Sequence, residues 1–300
     1  MAEQESTPNI VRPVLVTIEG VQLQSNFAAN WDRVKVFQAK PDDLLLATYP
    51  KAGTTWITEI VDMINNKGDV EKCMRGPTHE RVPFLEFGAP KPLPTGIEQL
   101  AITPSPRMIK THLPYQLVPK SFWEQNCKVI YVARNAKDNV VSYYHFDWIC
   151  RLEVLPGPWE EYLENFMKGN ISYGSWYDHV KKWWENKDRH RILYMFYEDM
   201  KKDLRKEVLR IMNFLEKELP EEIIDKIVHH TSFEVMKENP MANYSTVSGA
   251  GFLDHKTSHF MRKGSVGDWK NYFTVAQNER FDADYKKKMA GATLKFVDEL

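Results

Sequence analysis

Four short runs of strand length, residues 44–48, 107–111, 128–133 and 191–197, are dominated by β-branched, aromatic and leucine side chains. Between and after them the apolar residues fall into the helical period instead. Trp56, Ile57, Ile60, Val61 and Ile64 share one face, and residues 140–149, 160–167, 176–184 and 208–215 continue the pattern. A strand that must be followed by a helix before the next strand can only return parallel, so this alternation predicts an α/β fold with a central parallel sheet flanked by helices. The 300 residues would suit one large α/β domain or two small ones. The segments KPLPTG, TPSPR and GAG are loop signals rather than interdomain linkers, and the chain reads as a single domain over residues 1–300.

In such a sheet, ligands gather beyond the carboxyl ends of the strands. The residues just past each predicted strand therefore carry the functional reading. After the first comes TYPKAGTTW, residues 48–56, where Gly53 permits a close bend and Thr54 and Thr55 open a helix. Free N–H groups and the helix dipole there suit a phosphate. The loop lacks the Walker order, in which lysine follows the second glycine, so alone it reads equally as a tight turn with a threonine cap. Past the second strand, alternation puts Lys110 and His112 on one side of the chain, an ammonium beside an imidazole able to take a hydroxyl proton near neutral pH. Arg134 follows the third strand, and Ser142 lies about two helical turns on; together they could grip a phosphate. Tyr197 ends the fourth strand, where it could sit against a base or sugar. Farther on, Arg262 and Lys263 precede Gly264 in another potential phosphate wrap.

Composition removes several function classes. The 40 basic residues balance 41 acidic ones, so no overall positive field recruits nucleic acid or a membrane surface. Any anion site must be built locally. Three cysteines without CxxC spacing argue against a zinc site and suit a reducing compartment. MAEQESTPNI lacks the basic and apolar segments of a signal peptide, and no apolar run reaches the ~18 residues of a membrane span, so the expected location is the cytoplasm.

Taken together, TYPKAGTTW, RNAKD with Ser142, FMRKG, GVQLQSNF, HHTSFEVMKENP and KNYFTVAQNERFD resemble the cytosolic sulfotransferases, and among them the phenol (aryl) branch, along nearly the whole chain. The resemblance implies 3′-phosphoadenosine 5′-phosphosulfate (PAPS) as donor, 3′-phosphoadenosine 5′-phosphate (PAP) as product, and no metal. Lys51 would reach the bridging and 5′-phosphate oxygens, in a loop completed by Ala52, Gly53, Thr54 and Thr55. Arg134, Ser142 and the segment Phe260, Met261, Arg262, Lys263 and Gly264 would hold the 3′-phosphate. Trp56 and Phe233 would enclose adenine, with Thr231 and Tyr197 nearby.

On the acceptor side the same resemblance assigns His112 as base, with Lys110 assisting. Phe27, Phe84, Phe87, Phe146, Leu152, Tyr244 and Phe252 would line an apolar pocket for a planar phenol. Cys150 stands where catecholamine-selective members place a carboxylate, and Asp147 and Glu153 are nearby but unmatched, so a neutral phenol is expected. Xenobiotic phenols, iodothyronines, catechols and estrogens are not separated. Ala52 in place of a serine, His259 in place of a proline and a longer VSGAGF loop depart from the pattern. Lys270, Thr274, Val275 and Glu279 match a short dimer motif, implying a homodimer. Two other classes are weighed against this reading: a magnesium-dependent small-molecule kinase, disfavoured by the loop order, and a carrier of aromatic ligands, which would not need Lys51, Lys110 and His112.

Overall fold

The computed structural model describes residues 11–88, 93–250, 252–254 and 257–300. Its centre is a four-stranded sheet built from β3 (Leu44–Thr48), β4 (Met108–Thr111), β5 (Lys128–Ala133) and β6 (Ile192–Phe196), in the order β4-β3-β5-β6 and parallel throughout. All four runs read as strands in the sequence are strands here. Ahead of them β1 (Leu15–Ile18) and β2 (Val21–Gln24) form an antiparallel hairpin that the strand reading did not include. Its turn is Glu19-Gly20, both at positive φ (48° and 82°), a two-residue geometry that matches the twist of the flanking strands.

The longer helices are α1 (Thr54–Asn65), α2 (Ala136–Ile149), α3 (Trp159–Lys168), α4 (Trp176–Asn186), α5 (Leu204–Leu215), α6 (Glu221–His230) and α7 (Val275–Lys288). Because side chains alternate along a strand, β3 and β5 feed two cores at once. Leu45, Ala47, Val129, Tyr131 and Ala133 pack with Val140, Phe166, Trp176, Trp183 and Phe281 on one face. Leu44, Leu46, Ile130 and Val132 pack with Ile57, Ile60, Ile64, Val208, Ile211 and Ile227 on the other. Burial on both faces is why these strands are almost wholly apolar.

The strand order reverses between β3 and β5, which leaves a crevice at their carboxyl ends. The loop before α1, the end of β4 and the start of α2 all open there. No helix among the described residues is long and apolar enough to cross a membrane.

Candidate active site

The loop after β3 is shaped by two left-handed residues, Lys51 at φ 68° and Gly53 at φ 107°. A Cβ at Gly53 would also stand 3.0 Å from the Tyr197 ring, so both backbone and space call for glycine. Gly53 caps α1 without a side-chain bond, and Gly53, Thr54, Thr55 and Trp56 line a cavity of about 520 Å³. The positive end of the helix dipole therefore opens into that cavity. Of the residues assigned to the site, Ala52 is the exception. Its methyl is fully buried and outside the cavity lining, and its N–H donates to Tyr49 O at 3.2 Å, so it shapes the turn rather than facing the site.

Every other residue assigned from the sequence lines this one cavity. Its basic end is built by Arg134, Ser142, Met261, Arg262, Lys263 and Gly264. The Arg134 guanidinium lies 4.4 Å over the Tyr197 ring and donates to Lys51 O (3.3 Å) and Ser265 O (3.2 Å). Its buried Nε has no hydrogen-bond partner among the described residues, leaving a donor for a bound anion. Asp138 fixes the segment that carries the second cation, accepting from Gly267 N (2.8 Å) and Trp269 N (3.0 Å). Arg262 pairs with Asp268 at 2.6 Å. Gly264, at φ 61°, passes so close to Phe233 that a Cβ would meet the ring at 2.1 Å. Trp56 donates from Nε1 to Thr231 O (2.8 Å) and meets Tyr197 edge-on at 5.3 Å, and Trp56, Thr231, Phe233 and Tyr197 all line the cavity.

The opposite end is aromatic. Phe27 packs edge-on against Phe84 (5.5 Å) and Phe87 (6.0 Å), while Phe260 lies 4.2 Å from Tyr244 and 5.9 Å from Phe146. Leu152 and Phe252 complete this lining. The longer VSGAGF loop includes Gly251, which lies outside the described residues.

Lys51, Lys110 and His112 line the same cavity beside these rings. His112 Nδ1 is 2.9 Å from the carbonyl oxygen of Thr48, which only accepts, so Nδ1 carries the proton and Nε2 keeps its lone pair. Glu86 holds the backbone beneath it, accepting from His112 N at 2.7 Å and Thr111 Oγ1 at 2.8 Å. Phe84 and Tyr173 flank the ring edge-on. Burial, reinforced by the Lys110 cation, lowers the His112 pKa to about 3, so the imidazole is neutral. Lys110 Nζ sits 4.5 Å over Phe84 and 3.5 Å from the Tyr244 hydroxyl. Lys51 Nζ lies between the rings of Phe146 (4.1 Å) and Phe260 (3.9 Å). Burial lowers its pKa to about 7, with Arg134 pushing the same way against Cys150, Asp147 and Glu153.

A sulfotransferase domain model matches residues 41–293. The chain belongs to the sulfotransferase family. Among its relatives, sulfotransferase 1B1 of Canis lupus familiaris is 57% identical over 98% of this chain and 99% of its own length. Sulfotransferase 1C2 of Homo sapiens is 58% identical over 95% of this chain and 96% of its own. Among solved structures, mouse sulfotransferase SULT7A1 complexed with PAP superposes with a TM-score of 0.76 at 34% identity, covering 93% of this chain and 96% of that one. Retinol dehydratase in complex with retinol and PAP superposes with a TM-score of 0.86 at 26% identity, covering 95% and 92%.

The sulfotransferase cavity also has walls that the sequence did not place in it. Tyr173, His79 and Leu253 line it, and so does Glu153, which the sequence leaves unmatched; Cys150, which the resemblance sets at the acceptor position, lines it too. The Glu153 carboxylate accepts from Gln24 Nε2 across 129 residues of chain, and burial raises its pKa to about 7. Asp147 is buried too, but it takes the Tyr162 hydroxyl at 2.7 Å and lies outside the lining. Nothing local marks Glu153; its place depends on the hairpin that brings Gln24 to it.

Proposed function

We propose that this enzyme transfers the sulfonate group of PAPS to the hydroxyl of a small phenol, with His112 as general base and Lys51 neutralising charge on the leaving phosphate. It is a PAPS-dependent sulfotransferase. The observation that carries the finer assignment is the neutral His112, held by Thr48 with Nε2 free, in the same cavity as the anion-directed start of α1.

The donor site has the groups that a nucleotide with two phosphates needs. Among the described residues the first turn of α1 has no side-chain cap and Arg134 Nε no hydrogen-bond partner, and two further cations stand at Arg262 and Lys263. Trp56, Phe233, Thr231 and Tyr197 would take the base, and Arg134, Ser142, Arg262, Lys263 and Gly264 the 3′-phosphate. When bound, PAPS supplies an activated sulfonate whose leaving group is a phosphate, so catalysis is largely positioning and charge neutralisation. Lys51 supplies the cation for that oxygen. Lys110, which lines the same cavity as His112, would assist the transferring sulfonate. His112 accepts the acceptor's proton at Nε2 as its oxygen becomes nucleophilic. Phe27, Phe84, Phe87, Phe146, Leu152, Tyr244 and Phe252 exclude water and orient a planar ring. The direct test is sulfonate transfer from PAPS to a panel of phenols without added metal; absence of transfer to any of them would overturn the reading.

The same reading takes the chain as one catalytic domain, since both cores share the β3–β5 strands. It places the enzyme in the cytoplasm, where three buried cysteines outside any disulfide fit a reducing compartment. It also takes the enzyme as a homodimer through residues 270–279. Thr274 caps α7 and leaves Val275 77% exposed, an apolar knob that the described residues do not cover. Glu279 is exposed, and Lys270 pairs with Glu299 of the same chain, a surface contact that a partner's Glu279 could replace at little cost. So short a segment buries far less than the ~1,600 Å² of an ordinary interface, so the dimer should be easily split. Val275→Glu should sediment as a monomer that keeps its turnover; a wild-type monomer at micromolar concentration would count against the assignment.

A further inference from the structure

Ahead of the hairpin, Arg12 reaches across more than 130 residues of chain to the carboxyl end of α2. Its Nη1 donates to the carbonyl oxygens of Asp147 (2.7 Å), Cys150 (3.0 Å) and Glu153 (3.2 Å), and its Nη2 to that of Trp148 (2.9 Å). A helix ends with unsatisfied carbonyls and a partial negative charge, and a guanidinium fork answers both at once.

The segment it grips is the wall of the acceptor end of the cavity. Phe146, Cys150, Leu152 and Glu153 line it. On its other side the same segment carries the 252–254 loop, whose Phe252 and Leu253 line the cavity as well. Arg151 N donates to Phe252 O at 2.9 Å, Asp254 N donates to Ile149 O at 2.8 Å, and Cys150 bridges Leu253. The hairpin adds a second hold, since buried Gln24 bonds the Glu153 carboxylate and Ser25 N donates to Val14 O at 2.8 Å. Residues 149–153 are thus a wall held by Arg12 and Gln24 and paired along its backbone with residues 252–254.

We propose that Arg12 is a positioning residue for acceptor recognition, fixing the α2 carboxyl end so that the cavity wall and the 252–254 loop stay closed around a compact acceptor. This rests on reading that end of the cavity as the acceptor pocket. Among the described residues the side chain of Arg12 hydrogen-bonds to carbonyls of 147–153 and to neither the donor loop nor His112, so its direct effect falls on the acceptor wall. Lysine at this position keeps a charge without the fork and satisfies fewer carbonyls.

The test compares Arg12→Ala and Arg12→Lys with the wild type using a monocyclic phenol and a tetracyclic phenolic steroid, alongside PAP binding by calorimetry and amide exchange. Arg12→Ala should raise KM for the monocyclic phenol about 10-fold relative to the steroid, with kcat at saturation changed less than about 3-fold. PAP affinity should stay unchanged. Amide exchange should quicken in residues 146–154 and 252–254 and not in β3 or β5. Arg12→Lys should fall between, and it carries the same readouts if the alanine variant does not fold. Equal losses for both acceptors, a parallel loss of PAP affinity, or unchanged exchange in the two segments would overturn the proposal. If the wild type sulfonates neither acceptor, the pocket reading fails by itself, and the exchange comparison alone then upholds or overturns the grip of Arg12 on the wall.

Discussion

Lys51→Ala should lower kcat by about 10²- to 10³-fold, the scale seen when one donor aimed at developing negative charge is removed. It should also weaken PAP binding by about 10-fold or more, since a charge-assisted contact to phosphate is lost. The structure adds a proton signature to this expectation. In this structure burial brings the Lys51 pKa down to about 7. A phosphate favours the cation and raises that pKa in the complex. Between the two values the complex binds more protons than the free enzyme, so PAP binding near pH 8 should take up a proton, and affinity should fall as pH rises through 7. Calorimetry in buffers of different ionisation enthalpy would show the uptake in the wild type and its loss in Lys51→Ala. An unchanged uptake, or wild-type turnover in the variant, would remove Lys51 from both roles.

Much of this was legible in the sequence for physical reasons. Strands β3 and β5 were plain because both their faces are buried, which forces an apolar residue at nearly every position. Helix α2 was read as starting at residue 140, whereas it starts at Ala136. Its first turn, Ala136 to Asn139, is buried yet polar, because Asp138 holds the 267–269 backbone and Asn139 Nδ2 donates to Pro50 O at 2.8 Å. Buried polar residues with such duties erase the apolar period. The anion loop stood out because its residue types are unusual in a plain turn. That Ala52 turns inward did not, since this follows from the left-handed conformations of Lys51 and Gly53 on either side of it. Tyr173, Glu153 and Arg12 were silent for another reason. Each takes its role from chain more than 60 residues away, and no local pattern encodes such contacts.

His112→Ala should lower kcat by about 10²- to 10⁴-fold with an ordinary phenol, ~3 to 5 kcal/mol of lost general-base assistance. Such a phenol has a pKa near 10, and its oxygen becomes a strong nucleophile only as the proton leaves. PAP affinity should change little, because the ring is turned toward Thr48 and the aromatic end rather than toward the basic clamp. The pKa of about 3 sets the pH behaviour. A base already unprotonated from pH 4 upward leaves no His112 limb in kcat/KM between pH 6 and 8, so any fall there belongs to another group. Acceptor acidity then separates the two catalytic roles. An acidic nitrophenol, largely ionised at neutral pH, needs no base, and should partly rescue His112→Ala. It should not rescue Lys51→Ala, because the leaving phosphate still lacks its cation whichever acceptor attacks. Thr48 offers a control inside the same arrangement. Its carbonyl belongs to the β3 backbone, so Thr48→Val keeps the 2.9 Å contact that sets the tautomer and removes the hydroxyl, which lies 3.1 Å from Nδ1 and 2.7 Å from Thr54 Oγ1, so turnover is compared at saturating PAPS. Turnover near wild type in Thr48→Val, together with selective rescue of His112→Ala, would fix Nε2 as the base. Rescue of both variants alike, or undiminished turnover of weakly acidic phenols by His112→Ala, would show that the proton leaves by another route.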